Sequence, residues 1–364
     1  MASMTRGGFG ISWWPGPGLA LASALLFGIS TPLAKLLLGE TSPLLLAGLL
    51  YLGSGAGLAV MTLVARIRGR SRAEAPLRAA DLPWLAAVVV FGGIVGPALL
   101  MRGLAVSPAA AASLLLNTEA LATLAIAWLV FQENVDRRVF LGAMAIVAGG
   151  VLLSFPAAGP GTAGSGWGSL FIVLACLAWG IDNNLTRKLS AADPVQLAMV
   201  KGLAAGAVNV GLALSQGAAL PSPALVLGAA TIGFLGYGVS LVLFVVALRH
   251  LGTARTGAYF STAPFIGAAV AMPLFGEPMT VGLAAAGALM ALGVYLHLSE
   301  SHEHEHVHEA LEHEHRHVHD AHHRHAHEPE DPAGEPHSHR HRHEPMVHKH
   351  PHYPDMHHRH RHAV

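Results

Sequence analysis

The chain has 364 residues, of which 52% are hydrophobic and only 12% charged, and its formal net charge is zero. Soluble globular chains carry about 25% charged residues, so this composition excludes an ordinary water-soluble domain. This net charge of zero is the sum of two parts of opposite charge. Residues 1–298 carry 15 Lys/Arg and 9 Asp/Glu, whereas residues 299–364 carry 7 Lys/Arg and 13 Asp/Glu. The second part also holds 23 of the 25 histidines. The single cysteine, Cys176, excludes an intrachain disulfide.

Ten apolar runs of about membrane-spanning length follow one another before the tail. A bilayer core needs about 20 mostly apolar residues per helix. The first run is longer than the apolar core of a signal peptide, about 7–15 residues, so we interpret it as a retained first helix. The fold class predicted is an all-α integral membrane protein. Its helices are expected at residues 17–38, 43–65, 83–102, 108–131, 139–155, 167–186, 196–216, 223–247, 256–275 and 280–298.

Basic residues between the predicted helices indicate the orientation of the chain. Residues 66–78 hold five arginines, and short cytoplasmic loops are rich in Lys and Arg. With that loop in the cytoplasm, the opposite side receives mainly Lys35 and Arg102. The cytoplasmic side receives the other basic groups, Arg137–Arg138, Arg187–Lys188 and Arg249 with Arg255. This alternation favours ten spans with both termini in the cytoplasm.

The apolar part also repeats itself. Residues 118–133 read TEALATLAIAWLVFQE and residues 262–277 read TAPFIGAAVAMPLFGE, with Thr, Phe and Glu matching at one offset. A weaker pair is LLFGISTPLAK at 25–35 and LAWGIDNNLTR at 177–187. Each repeat holds five spans, an odd number, so the halves must have opposite orientations. Inverted repeats recur in secondary transporters, with the substrate site near the midplane between the halves.

These patterns divide the chain into five parts. They are an N-terminal cytoplasmic segment (1–16), a first five-helix repeat (17–155), a non-cytoplasmic linker (156–166), a second five-helix repeat (167–298) and a His-rich cytoplasmic tail (299–364). The tail has almost no apolar content, so no core can form and disorder is expected.

A family resemblance rests on these repeats. Each half closes on a Glu shortly after Phe131 or Phe275, followed by a Gly-rich helix, and in this the chain resembles the EamA-type branch of the drug/metabolite transporter superfamily. AWGIDNNLTRKLS, followed by KGL at 201–203, resembles a bacterial subgroup. The resemblance implies a secondary transporter of metabolites, amino acids, drugs or nucleotide sugars in a bacterial inner membrane. One departure is that Pro264 has no counterpart in the first half, where Glu119 and Ala120 stand.

Glu119, in the sequence Asn117-Thr118-Glu119 of the fourth predicted helix, is the first candidate site residue. An ionisable group inside a bilayer costs about 2.5–3.5 kcal/mol on insertion scales, so it indicates function by default. Such a carboxylate could bind and release a proton during transport or pair with a cationic substrate. The alternative is a structural hydrogen bond to a neighbouring helix.

A second group of candidates lies where the sixth and seventh helices meet. Asp182, Asn183 and Asn184 fall in the cytoplasmic third of the sixth helix, and Lys201 lies at a similar depth in the seventh. Asp182 and Lys201 can therefore pair across a hairpin. This pair is either a static bridge or part of a gate or proton relay. Consecutive Asp, Asn and Asn cannot all face one way, which predicts several polar contacts around this helix.

The remaining polar and small residues are interpreted mainly as structural. They are Asn209, Tyr237 and Tyr259 within helices, Glu133 and Glu277 at helix ends, and the pairs Gly92/Gly96 and Gly202/Gly206, whose spacing predicts close approach of helices.

The tail alternates histidine with other residues in strings such as HEHEHVHEALEHEHRHVHD. Neutral imidazole is a good ligand for borderline metals, so a divalent metal (Zn, Ni, Co or Cu) on the tail is the one cofactor that the sequence suggests, and none is required by the bundle. The alternative is a pH-responsive polar tail. The expected ligands are His302, His304, His306, His308, His313, His315, His317, His319, His322 and His323.

The leading hypothesis is a secondary transporter of a small polar solute or cation, with efflux as the expected direction and proton coupling as one option. The alternative is a membrane-anchored metal sensor or buffer in which the tail carries the activity. Nothing resembles a catalytic motif, a nucleotide-binding motif or a nucleic-acid interface. We therefore expect a non-enzyme whose partners are its substrate and the lipid bilayer, and the sequence leaves the oligomeric state open.

Overall fold

The membrane part of the chain is a bundle of helices. The computed structural model describes residues 16–69, 76–131, 137–154, 165–186, 189 and 192–298, together with four strand segments in the tail. The helices are α1 (Gly16–Leu37), α2 (Pro43–Ile67), α3 (Leu82–Val88), α4 (Gly96–Val106), α5 (Ala109–Leu115), α6 (Thr118–Phe131), α7 (Arg137–Ser154), α8 (Ser165–Thr186), α9 (Pro194–Ser215), α10 (Pro223–Gly233), α11 (Ser240–Phe260), α12 (Ala263–Phe275) and α13 (Val281–Leu298).

Most of these helices are long and apolar enough to cross a membrane. Within the described residues, eight helical stretches meet that description, from Gly16–Leu37 to Pro223–Ala247. Two shorter apolar helices, Ala263–Phe275 and Val281–His297, follow them. The chain is therefore a multi-pass membrane protein, as its composition predicts. The predicted third helix is longer than expected, since it continues to Val106.

Two of the predicted helices are interrupted. The fourth breaks at Leu116 and Asn117, between α5 and α6, and the ninth breaks at Ser261 and Thr262, between α11 and α12. The gap expected after residue 247 is absent, because α11 continues to Phe260. Polar side chains explain both breaks, since they bond the backbone of the preceding turn in place of the helical ladder. Asn117 Nδ2 donates to Leu114 O at 3.0 Å, and Thr262 Oγ1 donates to Tyr259 O at 2.6 Å.

Two further spans contain a π-helical segment. One is Val89–Val95, between α3 and α4, and the other is Phe234–Val239, between α10 and α11. The offset of 144 residues that aligns Thr118 with Thr262 also aligns the last residues of these segments. The two helix breaks are related by 145 residues, one more than this offset. A π-helical turn displaces carbonyl groups from the regular ladder and is frequent at functional sites.

The packing pairs helices from the two parts of the chain. α2 packs mainly on α9 and α7 on α13, while α1 contacts α11 and α12 and α8 contacts α4 and α6. Small residues allow the α2–α9 contact, because a Cβ on Gly202 would lie 2.6 Å from Gly55 N and one on Gly206 would lie 2.5 Å from Leu52 N. The close approach predicted from the glycine spacing is confirmed for these two residues.

Two charged side chains join helix ends at one end of the bundle through hydrogen bonds to the backbone. Lys35, at the end of α1, donates from Nζ to Leu104 O at 3.1 Å. The Glu277 carboxylate, just after α12, accepts from Ala109 N at 2.6 Å and from Ala110 N at 2.8 Å. The first N–H groups of a helix have no partner within it, so Glu277 satisfies two of them in α5. The ends of α1, α4 and α12 and the start of α5 therefore meet at one face of the bundle.

The tail contains strands where disorder is expected. β1 (His302–His308) pairs antiparallel with β4 (Met346–His352), and β2 (Leu311–His317) pairs antiparallel with β3 (His337–His343). Histidine alternates with other residues in these segments, and this period of two suits a strand. The prediction of disorder rests on the low apolar content alone, which does not include this period. These four segments therefore differ from the prediction of disorder.

Candidate functional site

The Asp182–Lys201 ion pair lies buried between α8 and α9. Lys201 Nζ is 2.5 Å from Asp182 Oδ2, and the two residues are 8% and 5% exposed. Thr186 Oγ1 also donates to Asp182 Oδ1, at 3.3 Å. The predicted pairing is therefore confirmed. Inside a membrane, each of these two charges is compensated only by the other. A third charge that approaches the pair would therefore compete for one of the partners.

A glycine of the first π-helical segment makes room for this pair. A Cβ on Gly92 would overlap the Asp182 carboxylate and would lie 2.5 Å from Lys201 Nζ. Gly92 thus does more than bring two backbones together, which is the role that its spacing from Gly96 predicts. It also admits two charged side chains to the helix surface.

The carbonyl groups of that π-helical segment bind side chains from three other helices. Gly92 O accepts from Tyr51 Oη at 2.7 Å and from Trp179 Nε1 at 3.0 Å, and Gly93 O accepts from Asn209 Nδ2 at 3.1 Å. The segment is therefore a meeting point for α2, α8 and α9. Sequence reasoning missed Tyr51 and Trp179, although a buried aromatic ring with a polar tip in an apolar helix needs a partner.

An aromatic cluster adjoins the same carbonyl groups. The ring centroid of Phe27 lies 6.4 Å from Trp179, 5.8 Å from Tyr237 and 5.3 Å from Phe260. Tyr51 and Tyr237 are 5.5 Å apart. These distances suit favourable aromatic pairs. Through Tyr51, which also bonds Gly92 O, the cluster adjoins the helix segment that contacts the ion pair. Tyr237, interpreted from sequence as mainly structural, is one of its members.

Glu119 is held in a second polar cluster, between α6 and α8. Asn183 Nδ2 donates to Glu119 Oε1 at 2.8 Å and lies 3.3 Å from Thr123 Oγ1. Asn184 Nδ2 donates to Thr123 O at 3.2 Å and to Gly180 O at 2.8 Å. Glu119 stands in the first turn of α6, directly after the helix break. Since Asp182 and Asn183 are consecutive, α8 carries both clusters.

Asn117 and Thr118 serve the helix break and do not join either cluster through a hydrogen bond. Their side chains donate to the carbonyl groups of Leu114 and Leu115, at 3.0 Å and 2.7 Å. Asn117 Nδ2 also lies 3.9 Å from the Met290 sulfur. The seven predicted site residues therefore separate into an ion pair, a carboxylate–amide cluster and two residues that shape the break beside it.

Metal ligation is not visible inside the bundle. Among the residues whose side chains the structure describes, no group of three His, Cys, Asp or Glu could hold a metal ion. Cys176 is a free cysteine buried in the bundle. Of the predicted tail ligands, four lie in β1 and three in β2, while His319, His322 and His323 lie outside the described residues.

A helical membrane bundle with buried charges and displaced carbonyl groups at its centre defines a membrane protein with an internal polar site. Comparison with known proteins gives its family. Residues 14–155 and 166–299 each match the EamA-like transporter family, and the chain belongs to it.

Two further comparisons agree with this assignment. An uncharacterized transporter of Methanothermobacter thermautotrophicus is 26% identical over 289 residues, which cover 76% of this chain and 84% of that protein. A solved crystal structure matches 78% of this chain and 99% of its own, with a TM-score of 0.58 and 20% identity, which shows a shared fold.

Proposed function

We propose that the chain is a secondary transporter that works by alternating access between two inverted five-helix halves. The recurrence of a π-helical segment and a helix break after 144 to 145 residues supports two equivalent halves. The reciprocal packing of α1 and α8 supports them too, since each lies against helices of the other half. With five spans in each half, the two must have opposite orientations, and ten spans place both termini on the cytoplasmic side of a bacterial inner membrane.

The substrate is a small polar solute or a cation, moved outward. The observation that carries this proposal is the buried Asp182–Lys201 pair. The pair packs against Gly92, in the π-helical segment Val89–Val95. A charged or dipolar solute can replace one half of the pair, so that binding and release exchange one partner for another. The phenol and indole donors of Tyr51 and Trp179 stand close enough to respond to that exchange, because both bond Gly92 O.

Glu119 is the group that we propose for proton coupling. It accepts a hydrogen bond from Asn183, the residue next to Asp182 on α8. A change at the ion pair can therefore affect Glu119 through two adjacent residues of this helix. In proteoliposomes that contain a pH-sensitive dye, substrate-dependent proton movement should disappear in Glu119→Gln. Retention of both transport and proton movement would contradict this role.

The tail supports a second candidate function. Its histidines favour a bound divalent metal (Zn, Ni, Co or Cu), and a membrane-anchored metal sensor or buffer would need no transport through the bundle. We propose metal binding by the tail in either case.

One experiment separates the two candidates. A strain that lacks the protein is exposed to Zn, Ni, Co, Cu and Mn salts and complemented with the intact chain, a chain without residues 300–364, or Asp182→Asn/Lys201→Met, which leaves no unpaired charge in the bundle. A transporter loses function in Asp182→Asn/Lys201→Met and keeps at least part of it without the tail. A sensor or buffer shows the reverse. A flat metal profile would direct the search to organic solutes.

A further inference from the structure

The histidines of the tail face one another across an antiparallel ribbon. One register relates β1 to β4 and β2 to β3, from His302 opposite His352 to His317 opposite His337. Residues alternate between the two faces of a strand, so the facing histidines of each strand pair share one face. Six such pairs occur: His302/His352, His304/His350, His306/His348, His313/His341, His315/His339 and His317/His337.

The positions between the histidines carry complementary charges. At facing positions, opposite charges stabilise an antiparallel pair and like charges destabilise it. Neither strand pair places two like-charged residues opposite each other. Three facing positions join an acid to a base, Glu305 with Lys349, Glu312 with Arg342 and Glu314 with Arg340. Alternating histidines would also face each other after a shift of two residues, so the charged positions are what distinguishes this register.

We propose that the tail is a divalent-metal site in which histidines at facing positions of the two strands bind the ion, with the register fixed by the charged positions. Facing Cβ atoms in an antiparallel pair are about 4.5–5.5 Å apart. One ion can bridge imidazoles at that separation, because a zinc–nitrogen bond is about 2.0–2.1 Å. Two consecutive facing pairs supply four imidazoles, the ligand number of a tetrahedral zinc site. This inference rests on the metal-binding tail proposed above and gives that tail an architecture.

Such a site couples metal binding to folding of the tail. A two-stranded ribbon alone is marginally stable in water, and this one has few apolar residues to bury. Metal binding can supply the missing free energy, as it does in small metal-dependent domains. The disorder that the composition predicts then describes the metal-free tail. The ribbon that the strand register shows describes the metal-bound tail.

The test is a charge exchange that leaves every histidine in place. Full-length protein in detergent is titrated with Zn²⁺ against a competing indicator dye, with Mg²⁺ as the control ion. Two variants reverse one strand each, E312R/E314R and R340E/R342E, and the fourfold variant restores the pairing with the charges exchanged. From the usual strength of cross-strand charge pairs, each one-sided variant should bind Zn²⁺ roughly three- to tenfold more weakly, and the fourfold variant should recover.

The outcomes separate the register from metal binding itself. The two one-sided variants change the net charge of the tail in opposite directions, so an effect of charge alone would weaken Zn²⁺ binding in E312R/E314R and strengthen it in R340E/R342E. That result, or equal affinity in all four proteins, would overturn the register while leaving a metal-binding tail intact. A native chain that binds no Zn²⁺ would instead overturn the metal-binding tail of the proposed function.

A second measurement reports the pairing directly. Val307 faces Val347 in the register, whereas Val307 and Ser338 belong to different strand pairs. With oxidised glutathione as the oxidant, Zn²⁺ should raise the rate of disulfide formation in V307C/V347C at least several-fold relative to V307C/S338C, which controls for binding of Zn²⁺ to the thiols. Equal rates in the two variants would overturn the proposal.

Discussion

Removing one charge of the Asp182–Lys201 pair should destabilise the bundle far more than removing both. The two groups are 2.5 Å apart and almost completely buried, so each depends on the other for compensation. Lys201→Met leaves a buried carboxylate without its cation, and Asp182→Asn leaves a buried ammonium without its anion. Loss of one partner of a buried pair costs about 3–5 kcal/mol, whereas replacement of the whole pair by neutral groups is often close to neutral.

The measurement is reversible unfolding in mixed micelles of a mild detergent and SDS, followed by circular dichroism. Each single variant should lose about 3–5 kcal/mol of unfolding free energy, and Asp182→Asn/Lys201→Met should lie within about 1 kcal/mol of the native chain. A single variant as stable as the double variant would refute the reasoning, because the remaining charge would then need no compensation.

The double variant also distinguishes stability from function. If the pair takes part in substrate exchange, this variant should fold normally and fail to transport in proteoliposomes. Transport at the native rate would show that the pair is a static bridge, which is the structural alternative that the sequence leaves open.

Three further predictions concern other parts of the bundle. Gly92→Ala should cost more than about 1 kcal/mol of unfolding free energy, because its Cβ would overlap Asp182. The control is Gly211→Ala, which has no atom within 4 Å of the added group and should be neutral or up to about 1 kcal/mol more stable. Equal effects of the two variants in thermal unfolding would argue against the close approach at Gly92. Glu277→Ala should lower the unfolding free energy by about 1–3 kcal/mol through two unsatisfied N–H groups of α5, while the exposed Glu40→Ala should change it little. Alkaline phosphatase inserted within residues 156–166 should be active, and green fluorescent protein at the C-terminus should fluoresce; the opposite pattern would invert the proposed orientation.

The candidate site was partly predictable, because some of its signals are local. Charges inside an apolar helix stand out in the sequence. The sixth and seventh predicted helices run in opposite directions, which places Asp182 and Lys201 at similar depth, so their pairing could be predicted from position alone. Asn117 and Thr118 stand out for the same reason, but their side chains bond their own helix and end it. Whether a polar side chain in a helix turns to its own backbone or to a neighbour depends on packing that the sequence does not specify.

The sequence by itself determined that the chain lies in a lipid bilayer and that its fold is helical. Apolar runs of this length follow from the hydrophobic thickness of a bilayer, which acts on each segment separately. The family assignment agrees with the helical membrane protein that they predict. Only the tertiary structure decided which carbonyl groups become available to side chains. The π-helical turn at Val89–Val95 presents Gly92 O to Tyr51 and Trp179, and these contacts arise between helices far apart in the chain. The strand register of the tail was decided in the same way, because the sequence supplies alternating histidines while long-range pairing decides which of them face each other.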